Sequence, residues 1–325
     1  MSGKANHIPG GISMLVTALA PRVIVRPSAA FVTRQYVHKT AASEVLLTGL
    51  SPTGADRYHI TARWPSEHPF YGPKSGFHDP LLIAESVRQS VPLLSHVAYG
   101  VPFGHRQTWS SFRYEVDPAA MTFTGTDAHV DMRVTCSEVI RRGGRLSSLR
   151  MQVDLFVDGR PLGVAESRFC SLAPAVYRRL RGPYADAAEA ARHTLPLAPP
   201  MAPTRVARTD HADVVLSPTP SPLRTQLRTD LSHPILFDHP VDHAPGMLLL
   251  EAARQTAHAA VHPRPMLATG LDAVFTQYVE FDAPCWIDRA PTAPHAGGPA
   301  LVRMEATQND TSAFAATVAM TPTRG

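Results

Sequence analysis

Hydrophobic and polar residues alternate along several segments of this chain, and such alternation is typical of β-strands with one buried face. In the first part of the sequence, strands are predicted at residues 58–64, 106–115, 129–140, 146–157 and 162–172. In the second part, they are predicted near residues 213–216, 223–229, 273–281, 300–307 and 312–320. Asp158 followed by Gly159, between two of these segments, is a strong signal for a hairpin turn. The pattern therefore predicts two runs of antiparallel strands.

Two longer segments have the pattern of helices, one at residues 80–96 and one at 245–261. Asp79 is placed as an N-cap, and Pro80 at the first helical position loses no hydrogen bond. Pro92 predicts a kink or an early end in the first helix. The second helix is apolar on nearly every face, which is typical of a buried helix. A buried helix followed by antiparallel strands predicts an α+β fold, with a sheet wrapped around a central helix.

Polar residues of the first helix and of the loop before it recur in the second half of the chain. His68 and His78 recur as His233 and His243, each 165 residues later. After one inserted residue the separation becomes 166, and the set Glu85, Arg88, Gln89 and His96 recurs as Glu251, Arg254, Gln255 and His262. Such internal symmetry predicts two copies of one domain. Packing alone would favour the retention of apolar positions, so a repeated polar set indicates a shared chemical or pairing role.

The length of 325 residues also favours two domains of ordinary size. Residues 195–204 contain four prolines and are predicted to form an extended linker. The predicted organisation is an N-terminal segment (1–30), a first domain (31–190), a Pro-rich linker (191–204) and a second domain (205–325). Residues 11–20 form a short apolar run, which we interpret as part of an ordered N-terminal segment and not as a targeting signal.

Composition narrows the function classes. A hydrophobic fraction of 44% and a charged fraction of 18% are typical of a compact globular protein, and no stretch is long enough to span a membrane. The net charge of +4 comes almost wholly from arginine, which permits an anionic substrate or an acidic partner, although biased base composition explains it equally well. The basic runs at 141–145 and 178–181 lack interleaved aromatic residues, so no nucleic acid partner is expected. Three widely spaced cysteines predict reduced thiols and a cytoplasmic location.

The repeated polar set forms a stripe on each helix. With 3.6 residues per turn, Glu251, Arg254 and Gln255 lie within an arc of about 100°. Charged groups on an otherwise apolar helix are unfavourable unless they are paired or face a polar cavity. Two interpretations follow: a local ion pair between Glu251 and Arg254, or the wall of a substrate pocket. The apolar surroundings favour the pocket, and His96 and His262 are interpreted as structural.

Two sequence segments carry a resemblance to a known family. Residues 237–255 read FDHPVDHAPGMLLLEAARQ, and residues 78–89 read HDPLLIAESVRQ. The first resembles the helix-entry signature of hot-dog fold enzymes that act on acyl thioesters, in which a Pro-Gly pair opens the central helix. Together the two segments resemble the A-factor biosynthesis (AfsA-type) family, tandem hot-dog proteins of γ-butyrolactone signal synthesis. The resemblance implies a double hot-dog fold over both halves.

The resemblance also implies an activity: transfer of a 3-oxoacyl chain from an acyl carrier protein or CoA thioester to the hydroxyl group of dihydroxyacetone phosphate. Hot-dog dehydratases carry a catalytic histidine five residues before the proline of the Pro-Val pair, and the corresponding residue here is Ile235. His239 and His243 are the candidates to substitute for it, but simple dehydration is disfavoured. Two alternatives remain open: a hydratase, dehydratase or thioesterase, and a regulatory protein that binds a signal lactone without turnover. A homodimer also remains open.

The expected site follows from this chemistry. Glu251 is the predicted general base, since an apolar setting is expected to raise its pKa, and His243 is the alternative base. Arg254 is predicted to bind the acceptor phosphate, and the helix N-terminus at Gly246 to bind the carbonyl oxygen or the phosphate. The further predicted substrate-binding residues are Gln255, Glu85, Arg88, Gln89 and His78. The first-half set has three possible roles: a second active site, a degenerate site, or the other wall of one site. No metal ion or cofactor is expected.

Overall fold

The structure is a computed structural model that describes residues 32–291 and 298–323. In these ranges twelve β-strands are described: β1 (Leu47–Gly54), β2 (Arg57–Trp64), β3 (Arg106–Val116), β4 (Ala128–Arg142), β5 (Arg145–Val157), β6 (Arg160–Leu172), β7 (Leu216–Pro218), β8 (Arg224–Leu227), β9 (Met266–Phe275), β10 (Cys285–Arg289), β11 (Ala300–Gln308) and β12 (Thr311–Pro322). The α-helices are α1 (Leu81–Val97), α2 (Pro174–Arg181), α3 (Ala187–Arg192) and α4 (Gly246–Val261). Two 3-10 helices, Arg34–Val37 and Pro203–Val206, precede the two halves of the fold.

All twelve strands belong to one sheet with the order β1-β2-β4-β5-β6-β3-β9-β12-β11-β10-β8-β7. The order reads the same from both ends when each strand of the first half is exchanged for its counterpart in the second. The two halves meet where β3 and β9 pair antiparallel, with Ser111 opposite Val274 and Glu115 opposite Gly270. The chain therefore forms an intramolecular pseudo-dimer of two sheet-and-helix units, which confirms the predicted α+β double hot-dog fold.

The long helices α1 and α4 occupy equivalent positions. Helix α1 packs against strands of the first half and α4 against strands of the second, and the two helices also contact each other. Almost every residue of α1 and most of α4 are buried, including Glu85, Gln89, Glu251, Arg254 and Gln255, whereas Arg88 is half-buried. The helix passes through Pro92 without ending. The shared position of the helices puts Glu85 and Glu251 on equivalent elements.

Most predicted strands are confirmed, and the exceptions have a structural cause. The strand expected at 273–281 lies instead at Met266–Phe275, because residues 266–271 are all buried and show no alternation. The strand expected at 213–216 begins only at Leu216. Strands β1 and β10 were not predicted. The hairpin signal is confirmed, since Asp158 and Gly159 both have positive φ angles.

The segment between the halves lacks regular structure over residues 194–202, and it is held against the second half. Leu195 N donates to Phe281 O at 3.0 Å, and Met201 N donates to Leu216 O at 2.9 Å. The predicted N-terminal segment, residues 1–30, lies outside the described residues. The domain limits at 190 and 205 stay a prediction.

Candidate functional site

A cavity of about 770 Å³ lies between the two halves of the fold. Its walls come from α1, from the loop before α4 and the first turn of α4, from the start of β3 and from the residues after β9. A cavity of this volume is large enough for a drug-sized ligand. The cavity is composite, because neither half encloses it alone.

The first-half polar set forms the polar end of this cavity. Arg88 donates from Nε and Nη2 to the Glu85 carboxylate, both at 2.8 Å, and Gln89 Nε2 donates to Glu85 Oε1 at 2.8 Å. Lys39 Nζ lies 3.1 Å from Glu85 Oε1 and 3.9 Å from Asp238 Oδ2 of the second half. Burial raises the pKa of Glu85, but the charges of Arg88 and Lys39 outweigh burial and lower that pKa to about 2. Glu85 is therefore an anion that holds two cations at the cavity.

The equivalent second-half set has the same internal hydrogen bonds, but it is buried and does not line the cavity. Arg254 donates to the Glu251 carboxylate at 2.7 and 2.8 Å, and Gln255 Nε2 donates to Glu251 Oε1 at 2.6 Å. Arg208 stands where Lys39 stands in the first half, and its Nε donates to Glu251 Oε1 at 2.7 Å. The Arg208 guanidinium also donates to Phe70 O at 2.7 Å and lies 3.9 Å above the Phe70 ring. These contacts fill the place that is a cavity in the first set.

The expected rise in the pKa of Glu251 is wrong. Burial does raise that pKa, but the charges of Arg208 and Arg254 outweigh burial and hold it well below its usual range. The Glu251 side chain is fully buried, and it does not line the cavity. The sequence predicts the apolar helix, but it does not reveal the Arg208 guanidinium, which lies 43 residues earlier in the chain and lowers the pKa of Glu251.

His243, the alternative base, lines the cavity. Its Nδ1 lies 2.9 Å from Asp242 Oδ1, and its side chain is 24% exposed. The Tyr278 ring packs edge-on against the imidazole at a centroid distance of 4.6 Å. With Nδ1–H donating to the carboxylate, Nε2 carries the lone pair, and no described residue forms a hydrogen bond with it. A neutral imidazole in this tautomer can accept a proton from a ligand.

The N-terminus of α4 opens into the same cavity. Pro245, Gly246 and Met247 line it, and no side chain caps this end of the helix. A Cβ atom on Gly246 would lie 2.9 Å from Trp109 Cε3, so glycine permits the close approach of the indole to the helix. Free backbone N–H groups and the helix dipole make such an end a site for negative charge.

Another part of the cavity wall is apolar, and it is formed by Val91, Trp109, Phe169, Ile235, Leu236, Val241, Met247, Leu249, Phe275 and Val279. The rest of the wall carries further polar residues, among them His105, Arg106 and Gln107. The cavity is thus amphipathic: an apolar region adjoins polar walls that hold cations, carboxylates and imidazoles. Such a lining suits a ligand with an acyl chain and an anionic group.

The structure brings some of the predicted site residues together and leaves others apart. His243, Gly246, Glu85 and Arg88 line one cavity. The other predicted residues, Glu251, Arg254, Gln255, Gln89 and His78, do not line it. His78 is buried between the rings of Trp64 and Phe123. The two halves therefore contribute different residues to one cavity, and the interpretation of the first-half set as the other wall of one site stays a prediction.

Several residues of the cavity and of the polar sets around Glu85 and Glu251 were missed, although the sequence contains a signal for three of them. Lys39 and Arg208 lie in matching segments, VHKT at 37–40 and VART at 206–209, each after a 3-10 helix that ends in a left-handed residue. Asp242 directly precedes His243, an adjacency that marks a carboxylate–imidazole pair. Nothing in the sequence indicates Tyr177, because it reaches the cavity only through the packing of α2.

Across residues 32–291 and 298–323, no group of three or more histidine, cysteine, aspartate or glutamate side chains has the geometry to hold a metal ion. In the same ranges no helix has the length and apolar character needed to cross a membrane.

The fold and the composite cavity define a double hot-dog protein with one open site between its halves. Comparison with known proteins gives the family. The A-factor biosynthesis hotdog domain (AfsA) matches residues 22–173 and again residues 189–324, so the chain belongs to this family. The two matches coincide with the two halves of the sheet, as expected for a duplicated domain.

Two curated relatives carry the same name. The 2-oxo-3-(phosphooxy)propyl 3-oxoalkanoate synthase of Streptomyces virginiae is 42% identical over 283 residues, which cover 87% of this chain and 95% of that protein. The synthase of the same name from Streptomyces coelicolor is 39% identical over 287 residues, covering 87% of this chain and 89% of that protein. Among solved structures, the 12:0-ACP thioesterase from Umbellularia californica superposes with a TM-score of 0.53 at 10% identity, covering 82% of this chain and 94% of that one. This last likeness concerns the fold alone.

Proposed function

We propose that this protein is an acyltransferase that condenses a 3-oxoacyl thioester with dihydroxyacetone phosphate to give a 3-oxoacyl phosphotriose ester. The name of the relatives describes this product, since the 2-oxo-3-(phosphooxy)propyl group is the dihydroxyacetone phosphate part of the ester. Such an ester suits an early step in the synthesis of a butyrolactone, butenolide or furan signal. The amphipathic cavity between the halves carries the proposal, because it joins an apolar region to a polar end where arginine and lysine side chains lie.

The reaction needs a base for the acceptor hydroxyl, and we assign that role to His243. Its Nε2 removes the hydroxyl proton as the oxygen attacks the thioester carbonyl, and the C–S bond then breaks. The imidazolium returns the proton to the departing thiolate, so the free thiol and the ester are the products. Asp242 stabilises the imidazolium through its hydrogen bond with Nδ1. The catalytic role of Glu251 stays a prediction, which a variant described below tests.

The acceptor phosphate is assigned to Arg88, with Lys39 beside it. Both side chains line the cavity and are held by Glu85. The Arg88 side chain is 23% exposed, and its Nη1 forms no hydrogen bond with a described residue. A guanidinium can donate to a phosphate while it remains bound to a carboxylate. Arg88 thus takes the role that the sequence predicted for its counterpart Arg254.

The acyl donor is assigned to the apolar wall, with its carbonyl oxygen at the N-terminus of α4. Negative charge develops on that oxygen in the tetrahedral intermediate, and backbone N–H groups placed there would stabilise it. Gly246 and Met247 supply the N–H groups that have no partner inside the helix. Carrier-protein and CoA donors carry the same acyl thioester group, so the structure does not distinguish them and both are used in the test.

The test is an incubation of the purified full chain with a 3-oxoacyl-CoA or 3-oxoacyl carrier protein and dihydroxyacetone phosphate, followed by mass spectrometry. We expect a phosphorylated ester and free thiol in equal amounts, and a loss of roughly 100-fold or more in His243→Gln. A thioesterase would release free acid without the acceptor, and a lactone-binding protein would release nothing. Either of these results would contradict the proposal.

The other partners stay predictions. The carrier-protein donor and a homodimer are distinguished by comparing the two donors and by measuring the mass of the protein in solution. The cytoplasmic location predicted from the cysteine pattern is checked by fractionation of cells that express the full chain.

A further inference from the structure

Helix α2 connects the first half of the fold to the proposed base in the second. It follows β6 of the first half, and it buries Tyr177 and Arg181 while the residues between them are exposed. Both buried side chains are polar, and both reach Asp242 in the loop before α4. A short helix with a polar buried face is unusual, because a buried polar group is unfavourable unless it is fully paired.

Tyr177 makes the most direct contact with the carboxylate. Its hydroxyl group lies 2.8 Å from Asp242 Oδ1 and 2.7 Å from Oδ2, and donates its single proton to this carboxylate. The Tyr177 side chain is almost fully buried, and its ring lines the cavity beside His243. The carboxylate is therefore held on one side by the phenol and on the other by the imidazole.

The Arg181 guanidinium binds Asp242 at two points, the side-chain carboxylate and the backbone carbonyl oxygen. Its Nε donates to Asp242 Oδ2 at 3.3 Å, and its Nη2 donates to Asp242 O at 3.0 Å. The guanidinium also pairs with Glu280, with Nη2 donating to Oε2 at 2.7 Å, and lies 4.2 Å above the Tyr278 ring. Tyr278 is the ring that packs against His243. The Arg181 guanidinium thus contacts both Asp242 and Tyr278, the two residues that contact the His243 imidazole.

These contacts keep Asp242 charged. Burial raises the pKa of its carboxyl group, but the hydrogen bonds from His243 and the Tyr177 hydroxyl group and the Arg181 charge together hold that pKa well below its usual range. A charged carboxylate has no proton to donate, so Asp242 forms its hydrogen bond with the imidazole only when Nδ1 carries the hydrogen. The lone pair then stays on Nε2, on the side of the cavity.

We propose that Tyr177 and Arg181 are positioning residues for the reaction: they fix Asp242, which holds His243 in the tautomer that leaves Nε2 free to take the acceptor proton. The inference rests on the proposed function, in which His243 is the base. Neither residue contacts the reacting atoms, and each acts through Asp242. The first half of the protein therefore prepares the base of the second half.

The test compares Tyr177→Phe with Tyr184→Phe. Tyr184 is a matched control, because its hydroxyl group also donates to an aspartate, Asp282 at 3.0 Å, but it does not line the cavity. Two quantities are measured in the full-length protein: the tautomer of His243 by ¹⁵N NMR of labelled histidine, and kcat and KM for the acyl transfer. The His243 signal is identified as the one missing from His243→Gln.

In the wild type and in Tyr184→Phe we expect a single tautomer with unprotonated Nε2. In Tyr177→Phe we expect a mixture of tautomers and a decrease in kcat of about 10-fold, with KM for both substrates unchanged, since only part of the general-base contribution is lost. In Arg181→Lys, which retains the charge, we expect a smaller decrease than in Arg181→Gln.

An unchanged tautomer and kcat in folded Tyr177→Phe would overturn the inference, and so would a decrease in melting temperature without a change in kcat. These outcomes leave the proposed function intact as long as His243→Gln is inactive. Full activity of His243→Gln would instead overturn the assignment of the base, whatever the tautomer.

Discussion

Arg88 and Arg254 occupy equivalent positions on two helices and make the same bidentate pair with a glutamate, yet their environments differ. The Arg88 side chain is 23% exposed and lines the cavity, whereas that of Arg254 is 5% exposed and does not. Arg254 is held by Glu251, which also binds Arg208. The chemical role of each arginine is therefore decided by what the neighbouring loops leave open.

This difference predicts that substitution by lysine affects substrate binding at Arg88 and stability at Arg254. Arg88→Lys loses the planar fork, and we expect KM for dihydroxyacetone phosphate to rise by roughly 10-fold to 150-fold, the equivalent of about 1.5 to 3 kcal/mol for a charge-assisted hydrogen bond. Arg254→Lys is the matched control, and we expect a lower melting temperature with an unchanged KM. A raised KM in Arg254→Lys together with an unchanged KM in Arg88→Lys would instead assign the phosphate to Arg254, as the sequence predicted.

Glu251→Gln separates a catalytic role from a structural one. In the structure, neutralisation of Glu251 leaves Arg208 and Arg254 buried with insufficient negative charge, so we expect a loss of about 3 kcal/mol or more in the free energy of unfolding. Turnover by the folded fraction should stay close to that of the wild type. Melting temperature and turnover are measured on one preparation, and a stable protein that is roughly 100-fold slower would establish Glu251 as the base.

The start of α4 shows how an element and its neighbour depend on one small residue. Gly246 lies against Trp109 of β3, so the first turn of a second-half helix packs directly on a first-half strand. Both residues line the cavity. The position of the N–H groups at the helix end therefore depends on the fit between glycine and indole.

Gly246→Ala tests this dependence. The new Cβ atom would lie 2.9 Å from Trp109 Cε3 and 3.3 Å from Cζ3, which forces the ring or the helix end to move. We expect turnover to decrease while the melting temperature changes little, since alanine favours helix formation. Trp109→Phe in the same chain removes the two contacting ring atoms and should restore part of the turnover. Equal activity of the single variant and the wild type would contradict the assignment of the carbonyl oxygen to this helix end.

At the scale of the whole molecule, the duplicated fold keeps two equivalent places for a site but leaves one open. In the first set Lys39 pairs with Glu85 at the edge of the cavity. In the second set Arg208 reaches across to the first half, where it contacts Phe70 and lies 3.4 Å from Asp79 Oδ2. The closed set joins the halves by buried ion pairs, and the open set is left for the ligand.

The buried charges predict sensitivity to acid. The pKa of His258 is lowered to about 3 by burial and by the charge of Arg254, and that of His38 is lowered to about 3 by burial and by His96 and Arg88. The unfolded chain takes up protons at these groups near pH 6.5, whereas the folded chain does not, so stability falls as the pH decreases from 6.5 towards 3. Below pH 4.5, protonation of Glu85 in the unfolded chain adds to the loss until about pH 2.

We expect His258→Gln to reduce the dependence of the free energy of unfolding on pH between 6.5 and 4, as measured by urea denaturation at several pH values. His211→Gln, at an exposed position, is the control and should leave the dependence unchanged. An identical slope in His258→Gln and the wild type would show that His258 is protonated in the folded protein.

The sequence by itself determined the fold and the kind of chemistry. Its alternation predicts most strands, its two long helices are confirmed within two residues at each end, and the 165-residue repeat predicts the pseudo-dimer. These features are local or periodic, and local patterns follow from the burial of one face of each element. The matching segments at 237–255 and 78–89 also pointed to the AfsA family.

Only the tertiary structure decided which repeated set faces the cavity. Glu85 and Glu251 are each followed by an arginine after three residues and a glutamine after four, and the difference arises from Lys39 and Arg208, which lie more than 40 residues away in the chain. The same holds for the base, because Tyr177 and Arg181 reach Asp242 across more than 60 residues. Charges and hydrogen bonds act through space, so the pKa and accessibility of a side chain depend on neighbours that the linear sequence does not reveal.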